Sequence, residues 1–161
     1  MRSLAILFAS AVCVSSCVDT SPDRVKLTVA VKNVAVSVTQ GSLVATLSGT
    51  FDVEFDVGDL AAGSSTITDP PSFQLVLVKD QKTLKLLDAV PSGGGFPITV
   101  SSGEHRTLSF TLSDRNTLDG TCDLACVCAG PVEVVGSLRD SLTLDRPLSF
   151  ASGSATLSGC P

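Results

Sequence analysis

The amino-acid sequence predicts an all-β protein, folded as an antiparallel β-sandwich of roughly seven to nine strands. The first observation behind this prediction is an alternation of apolar and polar residues within 43–57, LVATLSGTFDVEFDV. The second is that the rest of the chain consists of short apolar runs separated by turns rich in Gly, Pro, Ser and Asp. The third is that only DQKTLKLLDAV has a helical period, and a weak one.

The alternating stretch predicts the clearest strand of the set. Apolar residues and Gly49 take the odd positions from Leu43 to Val57, and polar residues take the even positions from Thr46 to Asp56. Because successive side chains of a strand point to opposite faces, one face of this strand lies on a core and the other in water. We therefore expect one long half-buried strand, or two collinear strands bent at Gly49.

The segments on either side continue the β pattern. Upstream, an alternation that starts at Leu27 changes parity at Lys32-Asn33 before it ends at Val38, which indicates a bulge or a change of sheet. Downstream, GDLAAGSSTITDPPS is predicted as a loop. The next run, FQLVLVKD, is predicted as a central strand because it is apolar on both faces.

Further segments complete the predicted set of strands. They are residues 83–90, 96–100, 105–114, 132–138, 141–144, 148–151 and 155–157. An immunoglobulin-like arrangement is one sandwich that such a series of strands can form.

The first residues carry a targeting pattern. Arg2 precedes an apolar run over 4–14, which is too short for a membrane-spanning helix of about 20 residues. The segment VSSC that ends at Cys17 resembles the lipobox of bacterial lipoproteins. The resemblance extends no further along the chain, and it implies that Cys17 becomes the first mature residue and is acylated on its sulfur and its amine. The alternative is an ordinary secretory signal peptide cut near Ser16, which leaves Cys17 as a plain thiol.

The targeting pattern divides the chain into a signal peptide (1–16), a lipidated anchor with a short tether (17–24) and a single β-sandwich domain (25–161). Seven extended tether residues at about 3.3–3.6 Å each span no more than about 25 Å, so we expect the domain close to the membrane. Val18 follows Cys17, whereas an Asp beside the lipidated cysteine is the pattern associated with inner-membrane retention in some bacteria. We therefore expect a cell-envelope protein, with the outer membrane favoured over the inner one.

The six cysteines agree with the lipoprotein hypothesis. Cys13 leaves with the signal peptide and Cys17 carries the lipid, so an even set remains in the domain. That set is Cys122, Cys126, Cys128 and Cys160. In an exported chain an even set predicts two disulfides. A zinc site is the alternative, and it is disfavoured because the gaps in CDLACVC are three residues and one residue, instead of two.

The spacing also limits which cysteines can pair. Cys126 and Cys128 lie too far apart along an extended chain to bond to each other easily. We therefore expect one of them to pair with Cys122 and the other with Cys160. The second bond closes the longer loop, and on the chain-entropy argument it contributes roughly 3 to 4 kcal/mol.

An acidic run is the candidate calcium site. The spacing does not match the EF-hand loop, which needs a Gly directly after the third acid and a closing Glu, where this chain has Val57 and Gly63. Neighbouring acids on a strand stand about 6.6 to 7 Å apart, too far for close chelation of one ion. A solvated strand face that discourages edge-to-edge pairing is the favoured interpretation. The acids are Asp52, Glu54, Asp56 and Asp59.

The single histidine, His105, is the candidate general base. Ser102 and Ser109 lie nearby in the sequence, but neither belongs to a nucleophile motif such as G-x-S-x-G. The Gly-rich PSGGGFP lacks the Lys and the following helix of a phosphate-binding loop. We therefore expect His105 to be exposed and structural, and we predict no catalytic residue, no metal site, no cofactor and no enzymatic activity.

The charge balance narrows the partners. Eleven Lys and Arg against sixteen Asp and Glu give a net charge of −5, which becomes −6 once Arg2 leaves with the signal peptide. An acidic domain repels polyanions, so nucleic acid is not an expected partner. Two functions remain. The favoured one is a structural or protein-interaction module, bound to the membrane by lipid and to an envelope protein. The other is a receptor for a small ligand or an envelope polymer.

Overall fold

The structure is a computed structural model that describes residues 27–41, 44–59, 61, 63–118, 122–142 and 146–161. Within these residues the chain forms ten strands and one helical turn. The strands are β1 (Leu27–Gln40), β2 (Ala45–Val57), β3 (Ser65–Ile67), β4 (Ser72–Leu77), β5 (Lys82–Leu87), β6 (Ala89–Ser92), β7 (Ile98–Val100), β8 (His105–Leu112), β9 (Val132–Leu138) and β10 (Leu148–Ala151). The helical turn is α1 (Leu124–Val127). The predicted all-β class is confirmed.

Eight of these strands form two four-stranded sheets. The order is β1-β2-β8-β6 in the first sheet and β10-β9-β4-β5 in the second, and all neighbours pair antiparallel. The inner faces meet through aromatic rings. The ring of Phe73 on β4 lies 4.8 Å from that of Phe51 on β2 and 5.0 Å from that of Phe110 on β8, measured between centroids. The two sheets therefore enclose one core, as a sandwich does.

The strand order is that of an immunoglobulin-like sandwich. We set aside the small pair β3–β7 and letter the other eight strands A, B, C, C′, D, E, F and G in chain order. The first sheet then reads A-B-E-D and the second G-F-C-C′. This is the constant-type immunoglobulin order with one strand added beside C. Antibody domains pack a Trp of strand C against a disulfide between strands B and F, whereas here Phe73 of strand C packs against Phe51, Phe110 and Phe150.

The long first hairpin follows the predicted pattern. The pairing of β1 with β2 shifts register between Lys32 and Ala35, where Asn33 has a positive φ of 51°. The parity change in the sequence is therefore a bulge. On β2 a single strand passes through Gly49, whose φ is 143°, and a Cβ there would overlap the carbonyl oxygen of Ala35. Gly49 thus permits the close approach of the two strands beside the bulge.

Two expectations between residues 58 and 92 need correction. The predicted loop 58–72 contains β3, which pairs with β7 in an arm of its own. The predicted strand 83–90 is two strands, β5 and β6, which belong to different sheets. The chain crosses between the sheets at Asp88, whose backbone N–H donates to the Asn116 side-chain oxygen at 2.8 Å. No Gly or Pro interrupts residues 83–90, so the sequence pattern does not reveal the crossing.

Two expectations near the C-terminus also need correction. Ser141 and Leu142, at the start of the predicted strand 141–144, are not in a strand, and the other two residues lie outside the described ones. The predicted strand 155–157 is replaced by isolated bridges, one of them parallel, between Ser158 and Ser37 of β1. The segment after β10 therefore lies against the outer edge of the first sheet.

The connections divide between two ends of the sandwich. The end of the sandwich where β1 begins is called the N-terminal end. It contains the connections from β2 to β4, from β6 to β8 and from β9 to β10. The pair β3–β7 belongs to it, because its strands lie within two of these connections. We call the disulfide end the opposite one, with the connections from β1 to β2, from β4 to β5 and from β8 to β9, together with the chain's last residues.

Candidate functional site

The lipid-attachment residue of the sequence analysis, Cys17, lies outside the described residues. So do the proposed signal peptide 1–16 and the tether 17–24. The described chain starts at Leu27, which pairs with Val57 at the N-terminal end of the sandwich. Any segment before β1 therefore joins the domain at that end.

All four cysteines of the domain are paired. Cys122 bonds to Cys126, with Cα atoms 5.2 Å apart, and Cys128 bonds to Cys160, with Cα atoms 5.6 Å apart. The expected scheme, one local bond to Cys122 and one long-range bond to Cys160, is confirmed. Among the described residues no group of three or more His, Cys, Asp or Glu side chains could hold a metal ion.

The local geometry of the first disulfide differs from the expected extended chain. Residues 124–127 form α1, and Asp123 caps it by accepting a hydrogen bond from the backbone N–H of Cys126 at 2.9 Å. A helical turn brings residues four apart onto one side. The turn thus places Cys126 beside Cys122. Cys128 follows the last turn and remains available to Cys160.

The acids of β2 lie on the outer face of the first sheet. Asp52 accepts hydrogen bonds from the Asn33 side-chain amide at 2.7 Å and from the Ser109 hydroxyl at 2.5 Å. Both hydrogen bonds hold the pKa of the Asp52 carboxyl below its ordinary value, and the bond from Asn33 has the larger effect. The solvated-face interpretation agrees with this arrangement. The expected role against edge pairing is wrong, because β2 lies between β1 and β8 and is not an edge strand.

His105 begins β8 and lies opposite Asp56. Its Nδ1 is 3.1 Å from a carboxylate oxygen of Asp56, and its Nε2 is 3.2 Å from the hydroxyl oxygen of Thr107. Hydroxyl, imidazole and carboxylate thus follow one another in the order of a catalytic triad. The setting is open, however, since 52% of the His105 side chain and 59% of the Asp56 side chain are exposed. Such exposure leaves the imidazole and the carboxylate in contact with water, and it favours a surface hydrogen-bonded pair over a catalytic site.

A cavity of about 280 Å³ opens at the N-terminal end. It is lined by Thr66, Thr68, Asp69, Arg139, Asp140 and Ser141. Asp140 is only 4% exposed and accepts hydrogen bonds from the Ser65 hydroxyl at 2.7 Å and from the Leu142 N–H at 3.1 Å. Ser141 is bound twice to the backbone of Thr66, through its own N–H at 3.0 Å and its hydroxyl at 2.8 Å.

The sequence analysis did not find this cavity. Its walls come from the segment around β3 and from the residues after β9, which are 75 positions apart in the chain. No short motif marks either segment. The one local sign is Asp140, a buried carboxylate two residues after the end of the apolar strand β9.

The chain was compared with protein-family models, with curated proteins and with solved structures, and none of the three comparisons finds a match. Among the described residues, no helix has the length and apolar character needed to cross a membrane.

Proposed function

We propose that this protein is a membrane-anchored lipoprotein of the bacterial cell envelope. Its β-sandwich acts without catalysis, as a structural or protein-interaction module. The observation that carries the proposal is the lipobox-like VSSC together with the cysteine count. The two disulfides use every cysteine after residue 100. Once Cys13 leaves with the signal peptide, Cys17 is the one cysteine of the mature chain left for lipid.

The position of β1 supports action close to the membrane. Nine residues lie between Cys17 and Leu27, and the ten steps from one to the other, at about 3.3 to 3.6 Å each, reach at most about 36 Å. Since β1 begins at the N-terminal end, that end is held nearer to the bilayer than the disulfide end. The domain therefore suits a partner in or beside the same membrane, with the outer membrane favoured. The predicted partners are this membrane and an envelope protein, and nucleic acid is not one of them.

The setting of His105 supports a role without catalysis. The relay of Thr107, His105 and Asp56 stands on an outward sheet face, and none of these residues lines the cavity at the N-terminal end. A triad needs a pocket that orients the acyl group and donors that stabilise the oxyanion.

The test is metabolic labelling of the expressed chain with palmitate, combined with the intact mass of the mature protein. We expect label on the wild type and on Cys13→Ser, and a mature mass that begins at Cys17. We expect Cys17→Ser to lose the label and to leave the membrane fraction after any cleavage. A Cys17→Ser chain that is cut at the same bond and still sediments with membranes would contradict the proposal.

A receptor for a small ligand or polymer is the second candidate, and the cavity at the N-terminal end favours it. Hydroxyl groups, a buried carboxylate and the cationic Arg139 converge there. Native mass spectrometry of the protein released gently from membranes separates the two functions. A bound small molecule that is lost in Arg139→Ala supports the receptor. A cross-linked protein partner that is retained in Arg139→Ala supports the interaction module.

A further inference from the structure

The edges of the two sheets differ in how well they are closed. The edge strands are β1 and β6 in the first sheet and β10 and β5 in the second. Beside β1, the N–H of Val38 donates to the carbonyl of Ser158 at 2.8 Å, and the N–H of Ser158 donates to the carbonyl of Val36 at 3.2 Å. The edge of β6 contains Pro91, which has no N–H. The edge of β10 is four residues long. Such devices prevent the addition of a further strand.

The edge of β5 has none of these three devices, and its one irregularity is a register shift in the pairing with β4, where Leu84 is the extra residue. It is six residues long, contains no proline, and among the described strands pairs with β4 alone. It also carries Leu86, which is 69% exposed and is the most exposed large apolar side chain of the described residues. Its side chain points away from the core, because Leu86 pairs with Gln74 while the neighbouring pair of Leu87 with Phe73 is buried. An exposed Leu on an open edge favours contact with another chain.

Positive charge is concentrated on the same strand. The chain has five lysines, and three of them, Lys79, Lys82 and Lys85, lie within seven residues at the turn before β5 and on β5. Asp80 is the one acid of that stretch, so its charge balance is still positive. The protein as a whole carries a net charge of −5. Lysines on an edge repel basic strands and a second copy of the same edge, since antiparallel self-pairing brings the two lysine sets together. They attract an acidic strand. The lysines therefore make this edge selective for acidic strands and do not close it to every strand.

We propose that the free edge of β5 binds an extended acidic segment of a partner protein as an added antiparallel or parallel strand. Backbone hydrogen bonds supply the affinity, as in other cases of strand addition. Lys79 and Lys82 pair with carboxylates of the segment, and Leu86 packs against one of its apolar side chains. This inference rests on the proposed function as an interaction module, and it identifies the surface and the chemistry of the partner.

The test uses fluorescence anisotropy with the full chain in detergent and a fluorescein-labelled peptide of alternating Val and Glu. Two comparison peptides are a Val and Lys version and a Val and Glu version with Pro at every third position. We expect binding of the first peptide alone, because the second has the wrong charge and the third cannot form a continuous strand. Lys82→Glu and Leu86→Asp should each weaken binding about tenfold.

Matched variants separate the edge from general charge and hydrophobicity. Lys32→Glu changes an exposed lysine of β1, and Val90→Asp changes an apolar residue of β6 that is 51% exposed. Both should bind like the wild type, and circular dichroism should show that all four variants are folded. Equal binding of the Pro-containing peptide, or equal losses in the β1 and β6 variants, would overturn the inference. So would a dimer of the wild type that Leu86→Asp dissociates, because the occupant would then be a second copy.

The result is independent of lipid attachment. Cys17→Ser should bind the peptide as tightly as the wild type does. A failure of palmitate labelling would therefore remove the anchored location and leave the strand-binding edge intact, whereas a failure of peptide binding would remove the edge and leave the anchor.

Discussion

The two ends of the sandwich are held by different kinds of interaction. At the disulfide end, Cys128–Cys160 ties the segment after β8 to the last residues of the chain, and Cys122–Cys126 closes a helical turn. At the N-terminal end no disulfide is present among the described residues. There the pair β3–β7 and the side chains of Asp140 and Ser141 join three connections by hydrogen bonds, and Ile67, Ile98 and Val100 add buried apolar contacts. One end is held by covalent bonds and the other by noncovalent contacts.

The difference reflects what each end is made of. The described residues between β8 and β9 contain one helical turn and one isolated bridge, of Thr117 with Thr46, so few backbone ladders stabilise them. Covalent bonds restrict their unfolded state instead. The N-terminal end has an extra small sheet, and each buried polar group there has a partner, as buried groups require. We therefore expect the N-terminal end to be adjustable around its cavity, and the disulfide end to be fixed.

The largest expected effect is on the covalent end. Replacing Cys128 and Cys160 together by Ala should lower the free energy of unfolding by about 3 to 4 kcal/mol, because a loop that spans 32 positions is no longer closed in the unfolded chain. The chain has no Trp or Tyr, so urea unfolding should be followed by far-ultraviolet circular dichroism. The double variant of Cys122 and Cys126 is the matched control, and its loss should be nearer about 2 kcal/mol because its loop is short. Equal losses would mean that strain or local packing, instead of loop closure, decides both.

The next effect is on the hydrogen-bonded end. Asp140→Ala should lower the free energy of unfolding by about 2 kcal/mol, because it leaves the buried Ser65 hydroxyl and the Leu142 N–H without their acceptor. Asp69→Ala changes an exposed carboxylate that lines the same cavity and should have little effect. If both variants unfold at the same urea concentration as the wild type, the polar network does not stabilise this end.

The smallest expected effect is a pH-dependent change in the free energy of unfolding, caused by a carboxyl group at the N-terminal end. The backbone N–H of Ser101 donates to the Glu104 carboxylate at 2.8 Å, and this bond lowers the pKa of Glu104. A carboxyl whose pKa is lower in the folded state adds stability above its unfolded pKa, and that stability is lost as the pH falls through the folded value. Glu104→Gln should therefore be less stable than the wild type at pH 7, by less than either change above.

The difference between the two proteins should begin to shrink as the pH falls below the ordinary pKa of Glu, about 4.3, and should vanish once the pH is below the folded pKa, which unfolding midpoints across the pH range would show. Glu133→Gln, on β9 of the second sheet, is the control for the loss of one charge. A Glu104→Gln difference that persists unchanged at low pH would mean that the effect does not come from the ionised carboxylate.

The regular strands could be predicted from the sequence because their signal is local. On β2 the inward odd positions are the buried ones from Phe51 to Val57, which is what half-burial of a strand produces. The parity change at Asn33 likewise marked the bulge. The fixed separation of Cys126 and Cys128 was enough to forbid a bond between them, and it reduced the pairing to two schemes.

The remaining features depend on contacts between distant segments, which a sequence pattern does not contain. The three residues of β3 form a strand only because β7 lies beside them, and the division of 83–90 depends on Asn116 holding Asp88. The cavity needs Asp140 and Ser65 to meet across 75 positions. Helix α1 is too short to show a period, and its one local sign was the capping Asp123.

The contact of Ser158 with β1 bears on how the domain would carry a mechanical load. A lipid at Cys17 and a partner on β5 would pull the protein from opposite sides, and the tension would enter through the first residue of β1. That strand lies along β2 for nearly its whole length and is also bridged by the last residues of the chain, which Cys160 secures. A pull along β1 must shear many backbone hydrogen bonds at once, whereas a pull across the sheet opens them one after another. Under this proposed attachment, the first strand would resist extension and transmit force into the sandwich.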